Sequence, residues 1–235
     1  MRFDVFVMGM GKTPMSVTDF DAARKAMIDS QIRPNKVIDE AVIAAFAAVP
    51  CEEFVPKSMQ DVAYVDEDIT LPGGRYMVEA MIMGRMIQSL ELQASDNVLL
   101  IGAATGYSAA ILSHLCSSVI AIDNRSAAVE KAQDNLNKLE IGNVAVLKSK
   151  LTEGYPAEGP YDAIIIEGGV ETMPEALLAQ LADDGRAVAV WRTSPRAQGE
   201  ASIWTKTAGA ATRRALFNAH VPTLAEFQAK SEFAF

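Results

Sequence analysis

Gly102 and Gly106 carry the clearest chemical signal in this 235-residue chain. The apolar run Val98-Leu99-Leu100-Ile101 stops at Gly102, passes through Ala103-Ala104-Thr105-Gly106, and continues into the helix-compatible Tyr107-Ser108-Ala109-Ala110. A strand, a glycine loop and a helix in that order let the backbone approach a ligand closely. The helix N-terminus then offers free N–H groups. A second apolar run, Val119-Ile120-Ala121-Ile122, ends in Asp123, about twenty residues further on, where doubly wound sheets place a carboxylate for ribose hydroxyls. The spacing points to a nucleoside-bearing ligand. The other reading of Asp123 is a helix-start residue ahead of Ser126.

These residues need a scaffold, and the pattern supplies one. Apolar runs predict strands at 97–101, 119–123, 144–148, 161–166 and 186–191, alternating with helices at 107–115, 126–138 and 174–182. Such alternation implies a mostly parallel sheet with helices on both faces. The runs 201–207 and 212–219, joined through Ala208-Gly209-Ala210, predict an antiparallel hairpin that closes it. The expected fold is α/β, a Rossmann-like sheet of the class I methyltransferase layout. An N-terminal helical elaboration precedes it. Helices are expected from Thr18 to about Gln31, from Asp39 to Ala48, and from about Met77 to Leu90, where Val78, Ile82, Met86 and Leu90 fall on one face. Three regions follow: an arm at 1–17, a helical and substrate-loop region at 18–90, and the ligand-binding domain at 91–235. The arm is read either as a floppy extension or as a strand added to a sheet edge.

Composition narrows the classes. The net charge of −9 argues against sequence-independent nucleic-acid binding, which needs clustered Lys and Arg. No apolar stretch is long enough to span a bilayer, and no cleavage signature follows the first residues, so a cytoplasmic protein is expected. Cys51 and Cys116 stand apart from each other and from His114 and His220, so they read as small buried apolar residues and no metal site is expected.

Several segments resemble the protein-L-isoaspartate O-methyltransferase family. They are Val49-Pro50-Cys51-Glu52-Glu53-Phe54-Val55-Pro56, Ala63-Tyr64-Val65-Asp66, Leu71-Pro72 and Leu99 to Ala110. Farther along come Asn143-Val144, Gly154-Tyr155-Pro156, Pro160-Tyr161-Asp162-Ala163-Ile164-Ile165 and Pro174-Glu175-Ala176-Leu177-Leu178. The resemblance runs from about residue 20 to 192. It implies S-adenosyl-L-methionine as cofactor and a carboxylate of a protein or peptide as methyl acceptor. By position it assigns cofactor contacts to Gly102, Ala103, Thr105, Gly106, Tyr107, Asp123, Asn124, Lys150 and Leu151.

The departures cluster at the ligand. Where the family reads G-x-G-x-G the middle position is Ala104, and Leu100 replaces the usual acid before the Ile-Gly pair. The Gly-Asp-Gly that holds adenine is replaced by Ser149-Lys150-Leu151, and lysine offers no acceptor. In the substrate loop, G-x-T-x-S-x-P becomes Gly74-Arg75-Tyr76-Met77-Val78-Glu79-Ala80. Arg75 and Tyr76 are the catalytic candidates, a guanidinium for an anionic acceptor and a hydroxyl. A solvated loop charge and a packing ring are the equal alternatives. Lys150 reads better as a solvated charge, and Glu167 either faces the site or lies on its rim. Two other functions stay open: methyl transfer to another small acceptor, and a non-catalytic binding or scaffold role.

Overall fold

The computed structural model describes residues 19–194 and 197–229. The reading of the arm at 1–17 lies outside these residues. Seven strands form the main sheet: β3 (Asn97–Ile101), β4 (Ser118–Asp123), β5 (Val144–Lys148), β6 (Tyr161–Val170), β7 (Leu181–Trp191), β8 (Glu200–Thr207) and β9 (Ala210–Asn218). Their order is β5-β4-β3-β6-β7-β8-β9, parallel through β7 and antiparallel from β7 to β9. This is the expected α/β sheet with its closing hairpin. Val98, Leu99, Leu100 and Ile101 are wholly buried, as a strand covered on both faces requires. The chain winds outward from β3 to β5 and returns to β6 on the other side of β3. The crevice at the carboxyl ends of β3 and β6 is therefore the switch point where such sheets take ligands.

Helix α4 (Tyr107–Ser113) follows β3 and helix α5 (Ser126–Lys138) follows β4. Helix α5 has the bounds the sequence predicts and turns Ala132 and Leu136 inward. The expected helix at 174–182 is shorter, Glu175–Leu178, because β7 already begins at Leu181 and takes the remainder of the span.

The N-terminal region begins with α1 (Phe20–Met27), capped by the Asp19 side chain, which accepts from the Ala22 N–H at 3.0 Å. The helical path continues through a π turn at Ile28–Ile32 and a 3-10 turn at Arg33–Asn35, the latter holding Pro34. Helix α2 (Glu40–Ala48) is capped by Asp39, and α3 (Ala80–Ser89) starts three residues later than expected. The first of those three residues, Met77, belongs to a small antiparallel hairpin that the loop-rich composition of 51–76 hides: β1 (Ile69–Leu71) paired with β2 (Arg75–Met77) around Gly73-Gly74. Both glycines have φ near +75°, at +79° and +73°, and the Arg125 guanidinium lies where a side chain at Gly73 would go. Met27, Phe46, Phe54, Ile82 and Met86 share one continuous core with Val98 and Ile165 of the sheet and Ala109 of α4. Cys51 and Cys116 are buried free thiols, each donating to a backbone carbonyl, of Ala63 and Leu112 respectively. His114 and His220 are exposed.

Candidate functional site

The loop after β3 keeps the backbone shape its glycines suggest. Gly102 and Gly106 both have left-handed φ, +87° and +92°. The Gly102 and Ala103 N–H groups donate to the Ile122 carbonyl at 2.9 and 3.0 Å, which ties the loop to the end of β4. Ala104 has φ +47°, a conformation that a side chain disfavours and a glycine would adopt freely. A β-carbon on Gly106 would lie 3.2 Å from the Ala132 methyl, so this glycine brings the loop tightly onto α5.

Asp123 ends β4 at the crevice and is completely buried. Oδ1 accepts from the Arg125 N–H at 3.0 Å, and Oδ2 lies 3.4 Å from the Ala104 nitrogen. The Arg75 side chain takes the remaining capacity: Nε donates to Oδ2 at 2.9 Å and Nη2 to Oδ1 at 3.2 Å. Arg75 is itself only 2% exposed. Its outer edge donates to Asn124 Oδ1 at 2.8 Å and to both oxygens of Glu226, at 3.2 and 3.1 Å. Asn124 Nδ2 completes the ring with a 2.6 Å bond to Glu226 Oε1. Burial works against the charge on Arg75, but the two carboxylates outweigh it and raise its pKa. Glu226 is likewise desolvated, yet the Arg75 guanidinium holds its pKa below the ordinary value.

Glu226 belongs to a segment the sequence does not mark as functional. Residues 221–229 run along the carboxyl end of β6. Gly169 N–H donates to the Pro222 carbonyl at 2.9 Å, Leu224 N–H to the Gly169 carbonyl at 3.0 Å, and Glu171 N–H to the Phe227 carbonyl at 3.1 Å. Arg192 Nη2 donates to the Val221 carbonyl at 2.9 Å. Val221, Leu224 and Phe227 are buried. Gly168 makes this seat possible, since a β-carbon there would sit 2.6 Å from Leu224 Cγ. The only hint in the sequence is Gly168-Gly169 itself, which interrupts an otherwise bulky strand end.

The other candidate residues separate. Tyr107 is buried with its ring against Phe54, at 5.5 Å between centroids, and Phe46, so its ring packs in the core. Thr105 is half-buried beside a cavity of about 360 Å³ that is also lined by Phe54, Pro72, Ala104, Arg125 and Lys131. Arg75 is neither the solvated charge nor the open anion site expected of it, because the buried Asp123 carboxylate has claimed its guanidinium. Tyr76 is half-buried opposite Thr70 in the small hairpin. Lys150 points outward and pairs with Glu153 at 2.7 Å, as the solvated-charge reading expected, while Leu151 is buried. Glu167 is buried, close enough to Asp123 and Arg75 to feel their charges. Desolvation pushes its pKa up to about 8, against the pull of the Ser108 hydroxyl and the Val78 amide. Among the described residues no group of His, Cys, Asp and Glu is placed to hold a metal ion, and no helix is long and apolar enough to cross a membrane.

Residues 22–214 match the family model described as protein-L-isoaspartate(D-aspartate) O-methyltransferase. A protein-L-isoaspartate O-methyltransferase 1 of Rhodopseudomonas palustris (strain HaA2) is 39% identical over 171 residues, which is 73% of this chain and 70% of that protein. A protein-L-isoaspartate O-methyltransferase of Herpetosiphon aurantiacus is 34% identical over 189 residues, 78% of this chain and 84% of its own. In fold, the chain superposes on a solved protein-L-isoaspartate O-methyltransferase with TM-score 0.76 at 24% identity, covering 87% of this chain and 67% of that one. A second solved structure, from Plasmodium falciparum and described as a putative enzyme of this kind in complex with S-adenosyl-L-homocysteine, gives TM-score 0.72 at 16% identity. It covers 89% of this chain and all of that one.

Proposed function

Because this chain belongs to the protein-L-isoaspartate(D-aspartate) O-methyltransferase family, we propose that it is an S-adenosyl-L-methionine-dependent O-methyltransferase acting on a carboxylate of a protein or peptide. The observation that carries this reading is the joint retention of Gly102 and Gly106 in left-handed conformation and of Asp123 at the neighbouring strand end. That is the framework a nucleoside cofactor needs at a switch point. The family's cofactor supplies an activated methyl group. Such transfer asks little acid–base chemistry of a protein and depends on aligning two partners away from water.

The described conformation does not fit that cofactor in the family's orientation. Both Asp123 oxygens are engaged by Arg75, Leu224 stands 3.6 Å from the β-carbon position of Gly102, and Lys150 leads away from the crevice. The acceptor side has also changed: Val78 is buried and apolar where the resemblance expects a serine hydroxyl. The cavity lined by Gly73, Arg75 and Arg125 borders that loop, with apolar walls and the cations Arg125 and Lys131 to draw a carboxylate.

Transfer of a labelled methyl group to an isoaspartyl peptide, with the normal aspartyl peptide as control, tests the reading. We expect weak, base-labile labelling of the isoaspartyl peptide by the unaltered chain. Absence of any methyl ester on either peptide, in a preparation that binds the cofactor, overturns it. The Arg75–Asp123 pairing favours one second reading, a non-catalytic member of the family, and that reading requires no cofactor binding at all.

A further inference from the structure

We infer that residues 221–229 are an intramolecular latch that occupies the nucleoside crevice, so that latch closure and entry of an S-adenosyl ligand exclude each other. This rests on the cofactor reading above. Four observations converge. The segment runs where doubly wound sheets take ligands, across the carboxyl ends of β3 and β6. Its Leu224 side chain fills the space opened by Gly168 and comes up to Gly102, the first glycine of the ligand loop. Its Glu226 carboxylate bonds Asn124 and Arg75, and Arg75 in turn closes over the Asp123 oxygens. Finally, the segment lies beyond residue 214, where the family match ends, so the plug is carried outside the shared framework.

The chemistry of the plug mirrors what it displaces. A ribose would offer Asp123 two hydroxyl donors, and Arg75 offers two N–H donors in a planar fork. Glu226 then balances the charge that Arg75 brings and fixes the fork from the outer side. The apolar side chain of Leu224 covers the glycine backbone that a ligand would otherwise approach. Latch and ligand thus compete for the same donors, acceptors and space. A protein whose competent state is a minor one binds with affinity reduced by that fraction.

The test uses the full chain and S-adenosyl-L-homocysteine as probe. Calorimetric affinity is compared among wild type, Glu226→Ala and Leu224→Ala, and the second variant guards against misfolding of the first. Amide exchange of Leu224 and Phe227 is followed with and without ligand. The expected result is a gain in affinity of about tenfold or more in the variants, and faster exchange at Leu224 and Phe227 in saturated wild type. Equal affinity in all three proteins, with exchange at those amides unchanged by ligand, overturns the latch alone. Failure of every variant to bind overturns the latch and the cofactor reading together. Variants that gain affinity but transfer no methyl group leave the latch standing and overturn the catalytic reading.

Discussion

Arg75 Nε meets Asp123 Oδ2 at 2.9 Å and Arg75 Nη2 meets Oδ1 at 3.2 Å, a two-pronged pairing with neither side chain open to water. Removing one partner of such a pair strands the other charge in a low-dielectric interior. Arg75→Met should therefore cost about 3–5 kcal/mol of stability, whereas Arg75→Met combined with Asp123→Asn should recover roughly half of that. Denaturant unfolding of both variants checks this. A single variant as stable as wild type would mean that water reaches the pair.

Glu167 makes stability depend on pH. Its folded-state pKa of about 8 lies above the ordinary 4.5, so between those values the folded chain holds a proton that the unfolded chain releases. The contribution is fully present below about pH 4.5 and is lost as pH rises towards about 8. Glu167→Gln should flatten that slope and stabilise the protein at pH 8.5 by about 1–3 kcal/mol, with little change at pH 4.5. Unfolding midpoints measured across this range decide it, and parallel pH profiles for the two proteins would refute it.

Ala104 holds a left-handed backbone at φ +47°. A glycine there escapes the steric cost of that conformation but loses more entropy on folding, so Ala104→Gly should stabilise by about 0.5 kcal/mol. Thermal melts would show a small upward shift. A clear drop would mean that the Ala104 methyl contributes packing beyond its backbone cost.

Lys150 and its partner Glu153 are 76% and 62% exposed at the side chain. Water and salt screen such a pair, so Lys150→Ala should leave the thermal midpoint essentially unchanged. A larger loss in the same melts would place Lys150 in contacts beyond this pair.

The sheet was legible because burial on both faces leaves long apolar runs: the bounds of β3, β5 and α5 coincide with those the pattern predicts. The glycine loop and Asp123 were legible for the same reason, since strand ends fix their spacing. The hairpin at 69–77 was not, because strands of three residues are too short to show a period. Arg75 read equally as an anion site or as a solvated charge, because nothing local announces a partner 48 positions away. The latch was hidden more deeply. Its anchors, Leu224 and Phe227, look like ordinary apolar residues, and only the three-dimensional course of the chain brings Glu226 to Asn124.

The ring of Arg75, Asp123, Asn124 and Glu226 joins residues 48, 102 and 151 positions apart in the chain. Contacts so distant in sequence bear a large loop-closure cost and form after the local strand–helix units have nucleated. The ring is therefore expected to be absent from the folding transition state, so breaking it leaves the refolding rate nearly unchanged and accelerates unfolding. Stopped-flow kinetics of Glu226→Ala should show the whole effect in the unfolding limb. The crevice would then exist, open, in every molecule shortly before its native state is complete.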